Sequence, residues 1–87
     1  MRLDKFLKNS RLIKRRTLAK EVADQGRITI NGNPAKAASN VSVGDELRIQ
    51  FGQKLVTVQV ESLKEIVRKE EATTLYSIKK EEPVSQD

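Results

Sequence analysis

The chain contains no cysteine and no histidine. Lacking cysteine, it has no disulfide framework, and the composition suits a reducing cytosol. Lacking both, it has neither the usual nitrogen–sulfur zinc sites nor a Cys–His or Ser–His–Asp nucleophile system. Tryptophan is absent, and two Phe and one Tyr are the whole aromatic complement, so Leu, Ile, Val and Ala must build the core. Proteins that read single strands stack bases on exposed rings; Phe6, Phe51 and Tyr76 are too few to line such a surface and are assigned to the core. No run approaches the roughly 18 apolar residues of a membrane span, so no membrane partner is expected. The opening MRLDKFLKNSRLIKRR is too charged to hold a signal-peptide core. An Arg-rich transit peptide is opposed by Asp4 and by the direct run into the core pattern. No Gly-rich nucleotide loop appears, and no carboxylate pair is placed for acid–base work. Neither an enzymatic activity, a cofactor nor a metal is expected, and the location is read as cytoplasmic.

What the chain does have is positive charge in one place. Arg2, Lys5, Lys8, Arg11, Lys14, Arg15, Arg16 and Lys20 fall within the first 20 residues, balanced by Asp4 alone. Residues 61–87 carry five cations against seven acids. A basic head on a near-neutral to acidic body is the asymmetry of polyanion binders. A merely soluble helix would alternate Glu and Lys at i, i+4, and this segment does not.

The apolar periodicity places the elements. Leu3, Phe6 and Leu7 mark one face of a short helix over residues 2–8. Residues 14–25 form a second helix, with Leu18 and Val22 at i, i+4, Ala19 and Ala23 widening the stripe, and Gly26 as the stop. Its cations crowd the start, where the helix dipole disfavours them but where a phosphate is favoured by the free N–H groups. From Gly26 the period becomes two. Ile28 and Ile30 form a strand, Asn31-Gly32-Asn33 a tight turn, and residues 34–40 an irregular stretch. Leu47, Ile49 and Phe51 form a second strand, Gly52-Gln53 a turn, and Val56, Val58 and Val60 a third strand. Leu63, Ile66 and Val67 begin an expected short helix through Lys69-Glu70-Glu71-Ala72, and Leu75, Tyr76 and Ile78 suggest a short closing strand or packed tail.

The expected fold is therefore α+β, two N-terminal helices packed on a small, mainly antiparallel, twisted sheet. The expected division is a domain over 1–62, a short extension over 63–79 and a loose tail over 80–87. Leu3, Phe6, Leu7, Leu18, Val22, Ile28, Ile30, Leu47, Ile49, Val58 and Val60 are the expected core.

Arg2-Leu3-Asp4, Lys14-Arg15-Arg16-Thr17-Leu18-Ala19, Gly26-Arg27-Ile28-Thr29-Ile30-Asn31-Gly32, Lys36 and Val43-Gly44-Asp45-Glu46-Leu47 follow one another in the order of an S4 RNA-binding domain. The chain resembles that family over about residues 1–60, and most closely its free-standing heat-shock-type branch, including the bacterial ribosome-associated quality-control factors. The resemblance implies an S4-like (αL) fold and binding to large-subunit ribosomal RNA and peptidyl-tRNA on stalled, split ribosomes. It also implies support of RqcH, which adds alanine tails to nascent chains. Many S4 domains open the second helix with Ser-Arg where this chain has Lys14-Arg15-Arg16. Carry-over is thus firmest for Arg2 and Arg16.

Guanidinium grips phosphate through two parallel hydrogen bonds, which makes Arg2 and Arg16 the primary RNA ligands, with Asp4 orienting one or both. Lys5, Arg11, Lys14, Arg15, Lys20 and Lys36 are further phosphate contacts, although Arg15 also lies near enough to the apolar stripe to rest on the core edge. Asn31 is a turn residue that the family places beside the RNA. The protein is read as a monomer that binds structured RNA by shape. The alternatives are a more general tRNA- or ribosome-binding factor in heat-shock rescue or ribosome assembly, a basic protein-interaction adaptor, and a non-specific DNA binder.

Overall fold

Leu3, Phe6 and Leu7 recur at helical spacing, and in the computed structural model, which describes residues 1–83, they are fully buried on α1 (Leu3–Asn9). The chain continues through α2 (Arg16–Asp24), β1 (Ile28–Ile30), β2 (Asn33–Pro34), β3 (Glu46–Phe51) and β4 (Lys54–Val60). A 3-10 turn over Lys69–Leu75 then leads into β5 (Tyr76–Pro83). The five strands form one sheet in the order β2-β1-β3-β4-β5, with every neighbouring pair antiparallel. This is the α+β arrangement that the periodicity implies.

Register follows from the alternation. Ile28 pairs with Ile49, Leu47 with Val58 and Ile49 with Val56, so these side chains share one sheet face. They join the helix residues in a single hydrophobic cluster. β1 and β2 are linked by Asn31 and Gly32 at φ 52° and 87°, the left-handed pair of a two-residue hairpin.

Five sequence expectations need correction. The buried stripe of α2 is Ala19 and Ala23, whereas Leu18 is 47% exposed and Val22 only partly buried. Small side chains let α2 approach α1, which turns the larger pair to one flank. Ile30, beside the β1–β2 turn, is also only partly buried. Asn33–Pro34, at the start of the stretch expected to be irregular, forms an edge strand. Finally, residues 63–68 are not helical, and the helix expected from Leu63 through Ala72 forms only over Lys69–Leu75, as a 3-10 turn; the expected closing strand is present as β5 and runs on through Pro83. The loose tail does not begin at residue 80, because Lys80 to Pro83 pair with Lys54 to Thr57; the rest of it, residues 84–87, lies outside the described residues. Core positions that periodicity did not mark are Ile13, Ala35, Ala37, Val41 and Leu75, which sit in turns or connecting segments.

The Thr57 hydroxyl is buried in β4 with no hydrogen-bond partner among the described residues. Leaving such a group unpaired costs about 1–3 kcal/mol. Thr57→Val keeps the β-branched shape and should stabilise the protein by about 1 kcal/mol, raising the melting midpoint by about 4–8 °C in thermal unfolding.

Candidate nucleic-acid interface

The interface begins at the start of α1. Its first N–H groups are capped by neighbouring chain rather than by a side chain. The Leu3 N–H donates to Ser39 O at 2.8 Å and the Asp4 N–H to Ala37 O at 3.2 Å. That anchoring fixes Asp4, whose side chain is only 3% exposed. One carboxylate oxygen, Oδ1, accepts from the Lys5 backbone N–H at 2.8 Å. Arg2 donates Nε to Oδ1 at 3.2 Å and Nη2 to Oδ2 at 3.3 Å. Arg16, the first residue of α2, brings Nε to 3.4 Å from Oδ2. One buried carboxylate thus holds two guanidinium groups from two helices.

Burial of the Asp4 carboxyl acts to raise its pKa, but hydrogen bonding and charge from Arg16, then from Arg2, outweigh that and hold it below the usual aspartate range. The arginines are not consumed by the pairing: Arg2 and Arg16 keep 52% and 48% of their side-chain surface exposed. Asp4 therefore both ties the helices together and aims the cations, and the group carries a net positive charge.

The patch continues along α2. Arg16, Lys20 and Asp24 follow at i, i+4, i+8 on one stripe. At its far end Lys36 Nζ donates to Asp24 O at 3.2 Å, and the Ala37 N–H donates to Asp24 Oδ1 at 3.1 Å. Arg2, Arg16, Lys20 and Lys36 consequently lie in series, all exposed. The start of α2 has no side-chain cap and no acid in its first turn. Its N–H groups add positive potential beside Arg16. Asp24 was not foreseen as part of the site. The sequence signal was an acid at the C-terminal end of a helix, where the dipole disfavours it; it is there to fasten the Lys36 loop.

The remaining expected residues divide elsewhere. Lys5 pairs with Glu65 across the sequence. Arg11 and Lys14 gather with Lys8, counted in the basic cluster but not singled out as a phosphate contact, around a small depression bordered by Asn9 and Val67. Arg15 and Lys14 rim an apolar groove on the other flank of α2. Asn31 spends both ends of its amide on the start of β3, tying its own turn to it: Nδ2 donates to Asp45 Oδ1 at 3.1 Å, and Oδ1 accepts from the Glu46 N–H at 2.9 Å. Among the described residues, no acidic cluster could hold a metal ion and no helix is long and apolar enough to cross a membrane.

Arg11 follows the end of α1 at φ 61°, a left-handed position usually filled by glycine. The strain costs about 1 kcal/mol. Arg11→Gly should leave stability unchanged or raise it by up to about 1 kcal/mol in urea titration, while weakening RNA binding by the loss of one cation.

A basic helix pair on a small antiparallel sheet, with Arg2 and Arg16 gathered on one acid, is the architecture of an RNA-binding S4 module, and the S4 domain family model matches residues 1–47. That span holds every residue of the stripe. The chain is 74% identical over 85 residues to the RQC P-site tRNA stabilizing factor of Halalkalibacterium halodurans, covering 98% of this chain and 97% of that one. It is 71% identical to the Bacillus subtilis protein of the same name, over 99% and 100% of the two chains. Among solved structures, the trimeric Vibrio cholerae Heat Shock Protein 15 superposes with a TM-score of 0.83 at 32% identity, covering 90% of this chain and 80% of that one. The chain belongs to the S4 domain family, in the branch of the RQC P-site tRNA stabilizing factors.

Proposed function

We propose that this protein holds the P-site tRNA against large-subunit ribosomal RNA on stalled, split ribosomes, and that it acts by positioning rather than by bond chemistry. The observation that carries the reading is the Arg2–Asp4–Arg16 group. Its two half-exposed guanidinium forks are set by one buried carboxylate and continue into Lys20 and Lys36. Such a stripe suits the regular phosphate spacing of a folded RNA and carries little base preference. The names of the relatives at 74% and 71% identity supply the P-site tRNA and the quality-control setting.

Within that setting, the stripe contacts phosphates of the tRNA or of the rRNA beside it. Arg11 and Lys14, joined by Lys8, add a second, weaker group of phosphate contacts. Asn31 contributes by fixing the turn. Support for alanine tailing by RqcH follows as a consequence of a steadied tRNA. One copy supplies the whole stripe, which suits a monomeric clamp.

Sedimentation with purified ribosomal particles tests the reading. The protein should travel with large subunits carrying peptidyl-tRNA and less with empty ones. Migration with small subunits or free messenger RNA instead would overturn the quality-control assignment.

A further inference from the structure

α2 presents three stripes. Ala19 and Ala23 face the core. Arg16 and Lys20 lie to one side of them, and Leu18 and Val22, at 3.6 residues per turn, fall on the opposite side. Leu18 and Val22 do not close against the rest of the fold. With Leu12, Ile13, Phe51 and the rim residues Lys14 and Arg15, they line an open, almost wholly apolar groove of about 370 Å³. Leu18 is 47% exposed at its edge. The groove is concave and its floor is aliphatic and aromatic, the form of surface that receives the apolar face of a helix. The rim is one-signed: Lys14 and Arg15 form no ion pair among the described residues, and no acid lines the groove.

We propose that this groove docks an amphipathic helix of a partner protein, with apolar anchors spaced three or four residues apart and acidic residues beside them. Leu18 and Val22 are one helical turn apart, which matches the anchor spacing of a helix laid along α2. The unpaired cations at the mouth select acidic flanks over basic ones. Because the groove and the Arg16–Lys20 stripe occupy opposite sides of α2, the protein holds RNA and the partner helix together. Docking of the helix goes beyond the RNA reading and stands without it; only the simultaneous holding of RNA rests on that reading.

The probe is a synthetic helix with a leucine stripe and glutamates on its flanks, titrated into the 15N-labelled full chain. Saturable shifts should centre on Leu12, Leu18, Val22 and Phe51. The same helix with lysines for glutamates should bind at least about fivefold more weakly. Leu18→Asn, which adds no charge beside Lys14 and Arg15, should weaken the acidic helix about tenfold, with the melting midpoint and tRNA affinity unchanged, because Leu18 is half-exposed. Equal binding of the two helices, or no saturable binding, overturns the proposal. So does a tRNA anticodon-arm hairpin that moves the amides of Leu12, Leu18, Val22 and Phe51, rather than those of the rim cations alone, since that assigns the apolar floor of the groove to nucleobases.

Discussion

Arg16→Ala should lower affinity for folded tRNA and for large-subunit RNA by about 10- to 100-fold, the worth of a charge-assisted phosphate contact of about 1.5–3 kcal/mol. The same substitution should reduce the magnitude of the slope of log affinity against log salt by about one, because one fewer counterion is released on binding. Arg2→Ala should behave alike, since both side chains are half-exposed and meet on the same carboxylate. Arg16→Lys should recover the slope but not the full affinity, because an ammonium replaces the charge and not the planar fork. Filter binding across a salt series checks all of these. An unchanged slope in Arg16→Ala would remove Arg16 from the RNA contact and leave it as a link between helices.

Asp4→Asn separates geometry from bulk electrostatics. Removing an acid from a polyanion-binding patch should strengthen binding if net charge alone governed affinity. The structure predicts weaker binding, because Asp4 is the only carboxylate paired with either guanidinium among the described residues, and neutralising it leaves two cations to repel each other and swing apart. Stability should fall as well, by about 1–3 kcal/mol, as a buried charged acceptor is lost. The pH dependence follows from the lowered pKa. The unfolded carboxyl takes up its proton near the ordinary 3.8, while the folded one keeps its charge to lower pH. The stabilisation is therefore complete above the ordinary value and is lost as pH falls through the folded one. Urea midpoints measured from pH 6 downward should show this loss in the natural protein and a flatter course in Asp4→Asn. Stronger RNA binding by Asp4→Asn would contradict the orienting role.

The strands and the first helix were legible because their buried residues keep a regular period: Leu3, Phe6 and Leu7 on α1, and Leu47 and Ile49 facing Val56 and Val58 across β3 and β4. α2 was legible as a helix, but its buried side was not. Hydropathy favoured Leu18 and Val22, whereas close packing chose Ala19 and Ala23, and no local pattern carries that decision. Past residue 62 the sequence loses its alternation, since Lys79 to Glu82 are all charged; strand identity there comes from pairing with β4, a long-range fact. In the site, Arg2, Asp4 and Arg16 were named from family resemblance and charge chemistry. Their meeting at one carboxylate depends on how two helices cross. The eight N-terminal cations looked like one patch in sequence, and the fold sorts them into separate groups: Arg2, Arg16 and Lys20 on one stripe, Lys5 against Glu65, Lys8, Arg11 and Lys14 around a depression, and Arg15 at the rim of the apolar groove.

β5 gives the molecule its outer margin. It covers the whole length of β4, whose residues Lys54 to Val60 all find partners from Tyr76 to Pro83. A chain ending before it would present β4 as a bare selvedge of open amides and carbonyls beside Val56, Val58 and Val60, an invitation to stack copy upon copy. The eight-residue hem that takes its place ends in proline and is studded with lysine and glutamate, side chains that repel further weaving. The strand that closes this side of the sheet is thus supplied by a part of the chain that lies beyond the family-matched segment at its front.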